Sequence, residues 1–292
     1  MISTSLVGSV LHRLARLSLS QKLGMSLLVL LVVFAIFAPW MTQATSDQQN
    51  LSAILIPPNA EAWLGTDHYG RSMWVRLAEA LRLSLLMAAL SVITAASLGI
   101  VLGTLAAVGP RWVDRILDGV MTILLALPGL VLVLILSAML PGSFGMLYLA
   151  IALVQWVEYF RVVRAMAKQV VQGPAMVSSR QLGFGFVYCF KRHIWPAIAP
   201  QIMTIAAFGA ASSVLMMASL GFVYVGIQPP TAELGLMIVE LFPYYSDAPW
   251  LLAEPLMALG LFILSCHLLA QKAPDTLNMQ SLKADVRKEA MV

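Results

Sequence analysis

The residues with the clearest chemical potential lie between Arg161 and Pro200, a long polar interruption between two strongly apolar blocks. This stretch contains no Asp or Glu, and its basic residues are Arg161, Arg164, Lys168, Arg180, Lys191 and Arg192. Such cations bind acidic protein surface or lipid phosphate. A basic loop between membrane spans is expected in the cytoplasm, and Gly183 after a helical run permits a sharp reversal. We therefore expect two short helices across the membrane face, offered to a cytoplasmic partner.

Enzymatic chemistry is not indicated by the motifs of this chain. No G-x-x-x-x-G-K-[ST] sequence occurs, so the phosphate-binding loop of ATPases is missing and energy has to come from a partner. Cys189 and Cys266 form neither a metal-binding spacing nor a disulfide framework. The basic residues sort by loop and not into one patch, which argues against nucleic acid. We expect no catalytic residue, no metal site and no cofactor.

Composition predicts an all-α integral membrane protein in the lipid bilayer. The chain is 60% hydrophobic and only 11% charged, whereas soluble domains have about 25% charged residues. Spans of about 20 apolar residues are predicted at 23–41, 83–110, twice within 119–157 around the break at Pro141–Gly145, at 200–225 and at 250–270. The first lacks an A-x-A-like cleavage site, so we expect it to be retained.

This pattern predicts a definite organisation and orientation. The segments are a cytoplasmic N-terminal segment 1–22, a first span 23–41, an outer segment 42–82 with a short helix, a transmembrane core 83–270 with a cytoplasmic loop of about 161–199, and a cytoplasmic tail 271–292. Six spans place both termini on one side. With that side inside, every Lys and Arg is cytoplasmic except Arg71, Arg76 and Arg82, as the positive-inside rule favours.

The outer segment contains the sequence Leu64-Gly65-Thr66-Asp67-His68-Tyr69-Gly70-Arg71. Thr66 or Asp67 is suited to cap a helix that starts near Tyr69 and leads into the second span. A solvated turn with a capped helix is the simplest interpretation. The alternative is a functional surface, because these cations lie on an otherwise acidic outer face; Gly65, Thr66, Asp67, Gly70 and Arg71 would then seal an outer gate or contact an external binding protein.

Four segments together resemble the C-type permease subunit of the peptide/nickel ATP-binding-cassette importers. Leu64–Arg71 is similar to "LGTDxxGRD", Arg180–Gly183 with His193–Pro196 to "EAAxxLG…HILPN", Gly221–Thr231 to "LSFLGLGVQPPT", and Asp275–Asn278 occupies the place of "RDALDP". The resemblance covers roughly 23–279. The chain departs from these patterns at six positions. Val177, Ser178 and Ser179 replace the glutamate and the two alanines of "EAA". Ser72 replaces the acidic residue after Gly-Arg, Ala197 replaces the Asn of "HILPN", and Leu234 stands before Gly235 in place of the family's Trp.

The resemblance implies a type I ABC importer permease fold in the bacterial inner membrane. It also implies a heterodimer with a second permease, two cytoplasmic ATPases that bind Mg-ATP, and a periplasmic solute-binding protein. The loop that couples to the ATPases would comprise Val177, Ser178, Ser179, Arg180, Gln181, Leu182, Gly183, Phe184, Phe186, Tyr188, Lys191, Arg192 and His193. Without the resemblance, an amphipathic helix resting on the inner leaflet explains the same residues equally well.

Candidates for the translocation path are Ser212, Ser213, Met216 and Met217 in the fifth span. Small and hydroxyl residues in spans more often mark close helix packing, and a Met pair is more often core. The ionisable residues Glu158, Glu254 and His267 are close enough to span ends to snorkel.

Two other classes of function remain open at the level of sequence. A secondary transporter predicts an internal repeat and mid-membrane charges, and neither is found. A membrane anchor for a cytoplasmic complex explains the basic loop but not the outer motifs. Within the importer family the cargo is a dipeptide, a longer peptide, nickel or a metal chelate, and the sequence does not distinguish them.

Overall fold

A computed structural model of the chain describes residues 18–42 and 44–271. These residues form ten α-helices and no strand: α1 (Leu19–Phe37), α2 (Met73–Val108), α3 (Arg111–Leu125), α4 (Gly129–Ala138), α5 (Phe144–Gln172), α6 (Pro174–Gln181), α7 (Phe186–Cys189), α8 (Trp195–Phe222), α9 (Leu234–Leu241) and α10 (Pro249–Ala270). Short 3₁₀ turns follow α1 and α9, and a π turn, Phe190–Ile194, joins α7 to α8. The predicted terminal segments, including Asp275–Asn278, lie largely outside the described residues.

Five of these segments are long and apolar enough to cross a membrane, and α3 with α4 provides a sixth if the bent pair is one span. The prediction of an all-helical membrane protein is therefore confirmed. The third predicted span is a bent pair of helices, because α3 and α4 meet at 81°. Pro128 explains the bend, since it stands at the N-cap of α4 and its ring restricts the preceding residue.

Other helix boundaries differ from the sequence expectations. α2 begins at Met73, well before Leu83, where the second span was predicted to begin. α5 runs without interruption to Gln172, so Arg161, Arg164 and Lys168 are helical residues and not part of a loop. α8 passes through Pro200; hydropathy marks the apolar part of a helix and not the polar turns that extend it.

The centre of the bundle is the pair of α2 and α5, which run parallel to each other. Two small residues of α2 allow this approach: a Cβ added at Gly99 would lie 2.3 Å from Cβ of Tyr159, and one at Gly103 would lie 2.9 Å from Cβ of Val163. α8 packs against both helices, and α1 packs along α10. The bundle thus has one end formed by residues 173–195, the basic end, and an opposite end formed by residues 44–72 and 226–248, the loop end.

Candidate functional site

At the basic end, a tight turn presents α6 and α7 beyond the long helices. α6 starts with Pro174 directly after Gly173, where the missing N–H of proline costs no hydrogen bond. The turn that ends α6 depends on Gly183, whose φ is +79° and whose N–H donates to the carbonyl of Arg180 at 3.0 Å. Residues with a Cβ rarely adopt this backbone conformation, so the glycine fixes the reversal that the sequence predicted.

Two contacts hold this turn against the long helices. Met176 is buried in a cluster that includes Ala167 of α5, Cys189 of α7 and Ile198 of α8. Ser179 Oγ lies 2.9 Å from Nε2 of His193, so α6 is tied to the π turn that begins α8. Among the predicted coupling residues, these two are joined through their side chains.

The remaining side chains of the turn point away from the bundle. Leu182 is 76% exposed, and the ring of Phe184 stacks on Tyr188 with centroids 4.2 Å apart. The other exposed members are Val177, Ser178, Arg180, Gln181, Phe186, Val187, Lys191 and Arg192. An exposed apolar patch rimmed by charge is typical of a protein-binding surface. We call the exposed side chains of residues 177–192 the docking surface.

At the loop end, four charged side chains form a buried ion-pair cluster: Asp67, Arg71, Arg76 and Glu240. Arg71 Nε lies 2.6 Å from Asp67 Oδ2, and Arg76 Nη2 lies 2.8 Å from Glu240 Oε2. Arg71 and Arg76 are only 3% and 2% exposed. The cluster joins residues 67–76 to α9, which lies far away in the sequence.

This burial corrects two expectations from the sequence. Thr66 and Asp67 do not cap a helix near Tyr69, because the helix begins after Ser72; Asp67 Oδ1 instead accepts from the N–H of Tyr69 and of Arg71, at 2.9 Å each. Arg71 was expected on the surface but is a core cation. The sequence could not show this, because the carboxylate of Glu240 reaches the cluster through tertiary folding.

The remaining candidates of the outer segment support its backbone. Gly65 and Gly70 have φ of +74° and +70°, and a Cβ at Gly70 would lie 1.9 Å from the carbonyl oxygen of Asn50. Thr66 Oγ1 accepts from the N–H of Ile56 at 3.0 Å. Gly65, Thr66 and Gly70 are thus turn and packing residues, and the other two predicted residues, Asp67 and Arg71, belong to the ion-pair cluster.

Two ionisable groups at the loop end were not predicted to have a role. The ring of His68 stacks on Tyr244 with centroids 4.9 Å apart; burial lowers the pKa of His68, reinforced by Arg71 and Arg76 and opposed by Asp67 and Glu240. Glu233 caps α9 by accepting from the N–H groups of Gly235 and Leu236. Burial raises the pKa of Glu233 against the opposite effect of those hydrogen bonds.

The path candidates of the fifth span divide into two sets. Ser213 and Met217 are fully buried, and Ser213 accepts from Nε2 of Gln155 at 2.9 Å, so they pack α8 against α5. Ser212 is exposed and Met216 is half-buried. Glu254 does not snorkel as expected, because it is 7% exposed within the bundle, whereas Glu158 is exposed.

Comparison with known proteins identifies the class. Residues 99–271 match the family model of the binding-protein-dependent transport system inner membrane component, and residues 21–58 match that of the N-terminal transmembrane domain of oligopeptide transport permease C. The chain therefore belongs to the inner membrane permeases of binding-protein-dependent ABC importers. It is a multi-pass permease subunit without catalytic activity of its own, and ATP is hydrolysed by separate ATPase subunits.

Individual relatives are similar over most of their length. The di/tripeptide transport system permease protein DppC of Pseudomonas aeruginosa is 33% identical over 88% of this chain and 87% of its own. The probable D,D-dipeptide transport system permease protein DdpC of Escherichia coli is 32% identical over 86% and 85%. The nickel transport system permease protein NikC of Escherichia coli is 29% identical over 89% and 94%. The resemblance found in the sequence motifs is confirmed.

Proposed function

We propose that this chain pairs with a second permease to form the path for short peptides, and that two ATPases dock on the basic end. In this arrangement the basic end and both termini face the cytoplasm, and the loop end faces an external solute-binding protein. The chain itself holds no cofactor, and Mg-ATP is bound by the ATPase partners. The single observation that carries the proposal is the exposed, basic and aromatic docking surface.

The chemistry of this surface agrees with a protein partner. Leu182 and the stacked pair of Phe184 and Tyr188 provide apolar area that gains free energy when removed from water. Arg180 and Arg192 flank this area and suit carboxylates on the rim of a complementary groove. The glutamate of the EAA pattern is replaced by exposed Val177, so binding at that position is apolar and not ionic.

Short peptides are the proposed cargo because two relatives above 30% identity are named for di/tripeptide and D,D-dipeptide transport. The nickel relative is less similar. Competition separates these cargoes in the assembled importer with its binding protein: a dipeptide in excess should reduce uptake of labelled dipeptide, whereas excess Ni²⁺ should leave it unchanged. The opposite result would assign the metal as cargo.

The proposal is tested by Leu182→Asp, which places a charge at the most exposed apolar position of the docking surface. We expect the variant to assemble in the membrane but to lose co-purifying ATPase by about tenfold or more, as for a buried charge in an interface. Leu51→Asp is the matched control, because Leu51 is 70% exposed at the loop end. The proposal fails if Leu182→Asp retains the ATPase as well as the control does.

The alternatives from the sequence are not favoured by the relatives, which are importer permeases. A secondary transporter would take up cargo without ATP, and a membrane anchor would support no uptake at all. Uptake into vesicles that contain the purified complex, measured with and without internal ATP, distinguishes the three classes.

A further inference from the structure

A cavity of about 830 Å³ opens between α3, α5 and α8 toward the basic end. Its walls are apolar on α3 and α8, where Met121 and Ile205 line it. On α5 they carry charge, and the charged lining residues are Glu158, Arg161, Arg164 and Lys168. None of these lining residues belongs to the docking surface or to the four segments that resemble the importer family.

Two of these charges are already balanced by α3. Arg164 Nε lies 2.6 Å from Asp114 Oδ1, and its Nη1 contacts Asp118. Lys168 Nζ lies 2.6 Å from the other oxygen of Asp114. Two cations therefore face two carboxylates, and this group fixes the amphipathic helix α3 against α5.

The other two charges, Glu158 and Arg161, are unpaired among the described residues, with no oppositely charged group within 4 Å. They lie three positions apart on α5, which places their Cβ atoms roughly 5–6 Å apart on one face. Both side chains are exposed. Unpaired charges on a lipid-facing surface of a span are costly, so this face is turned to water or to a partner.

We propose that Glu158 and Arg161 form a subsite for a zwitterionic peptide on its way through the importer, which rests on the proposed function. The carboxylate of Glu158 receives the peptide ammonium, and the planar guanidinium of Arg161 receives the terminal carboxylate. A dipeptide spans roughly 7 Å when extended, and two flexible side chains whose Cβ atoms are roughly 5–6 Å apart can reach both of its ends. The negative charge of Glu158 and the positive charge of Arg161 are thus complementary to the two charged ends of the peptide.

Neutral variants test the subsite in the complete importer, reconstituted in vesicles with its binding protein. Glu158→Gln and Arg161→Gln should each lower ATP-driven uptake of a dipeptide with free termini by about threefold to tenfold, since each removes one charge-assisted contact. The exchanged variant, Glu158→Arg with Arg161→Glu, should recover part of this loss. Arg115→Gln is the control, because Arg115 is exposed on α3 and does not line this cavity.

The thermal unfolding midpoint should not change in these variants, because the two side chains are exposed and in no ion pair within the described chain. Uptake by both single variants at the rate of the Arg115→Gln control would overturn the subsite. A zwitterionic lipid headgroup presents the same charges; a loss of uptake that appears only in vesicles with phosphatidylethanolamine or phosphatidylcholine, and not in vesicles of phosphatidylglycerol alone, would assign the pair to lipid and overturn the proposal. If the unaltered complex moves no dipeptide, the proposed function fails first.

Discussion

Glu240 is a single carboxylate that faces two buried guanidinium groups, those of Arg71 and Arg76. In Glu240→Gln, the buried guanidinium of Arg76 keeps only its longer ion pair, the 3.5 Å contact between its Nε and Oδ2 of Asp67. We expect the free energy of unfolding to fall by about 3 kcal/mol, as when one partner of a buried pair is removed. The measurement is the midpoint of thermal unfolding in detergent.

Asp247→Asn is the control for this change, because Asp247 is an exposed acid of the same loop end. A surface substitution of this kind should alter stability by at most about 0.5 kcal/mol. Equal midpoints for the two variants would contradict a structural role for the cluster. Because Arg71 is buried in the same cluster, reduced uptake by Arg71→Ala would also reflect misfolding.

At this scale the sequence indicated residue types but not their partners. The turn at Gly183 and the exposed aromatic residues around it were predicted, because local sequence determines both. The contacts of Ser179 with His193 and of Arg76 with Glu240 were not predicted, since they depend on how helices pack. Glu158 was expected to snorkel. The cavity that it lines is formed by α3, α5 and α8 together, so the sequence of α5 alone could not predict it.

Among the elements, α2 can pack closely on α5 because Gly99 places no side chain between the two backbones. A Cβ at Gly99 would come within 2.8 Å of the backbone nitrogen of Phe160, and a backbone atom of a long helix cannot shift cheaply. We expect Gly99→Ala to lower the free energy of unfolding by about 1–3 kcal/mol, as overpacking does. The same thermal unfolding measurement in detergent applies.

Gly260→Ala provides the matched comparison within another long helix. A Cβ there would have no atom within 4 Å, so the substitution should stabilise α10 by about 0.5–1 kcal/mol through backbone entropy. If both substitutions are tolerated equally, α2 and α5 are not as close as the structure places them.

Hydropathy predicted the helices better than their shapes. The sequence predicted two spans within the apolar run from Gly119 to Val157, separated by a break at Pro141–Gly145. A break is present there, but the first half also bends at Pro128, and α4 has only 10 residues, too short to cross the bilayer alone. The proline was in the sequence, yet prolines within α8 and α10 do not interrupt those helices, so the residue type alone does not locate a bend.

For the whole molecule, the orientation of the two ends in the membrane stays a prediction from charge. Leu51→Cys at the loop end and Val187→Cys on the docking surface place one exposed thiol at each end. In intact spheroplasts, a membrane-impermeant maleimide should label the first variant, and the second only after permeabilisation. The natural thiols of Cys189 and Cys266 are buried, so the background should be low. The reverse labelling pattern would invert the assignment.

The ion-pair cluster also sets a condition on biosynthesis. Arg76 and Glu240 are separated by 164 positions along the chain, and a ribosome adds about 5–20 residues per second. Both arginines are therefore made roughly ten to thirty seconds before the carboxylate that balances Arg76 emerges. Until α9 is made, Asp67 is the one carboxylate of the cluster that is present for Arg71 and Arg76. We therefore expect the newly made N-terminal half to be a target for chaperones and quality-control proteases during that interval.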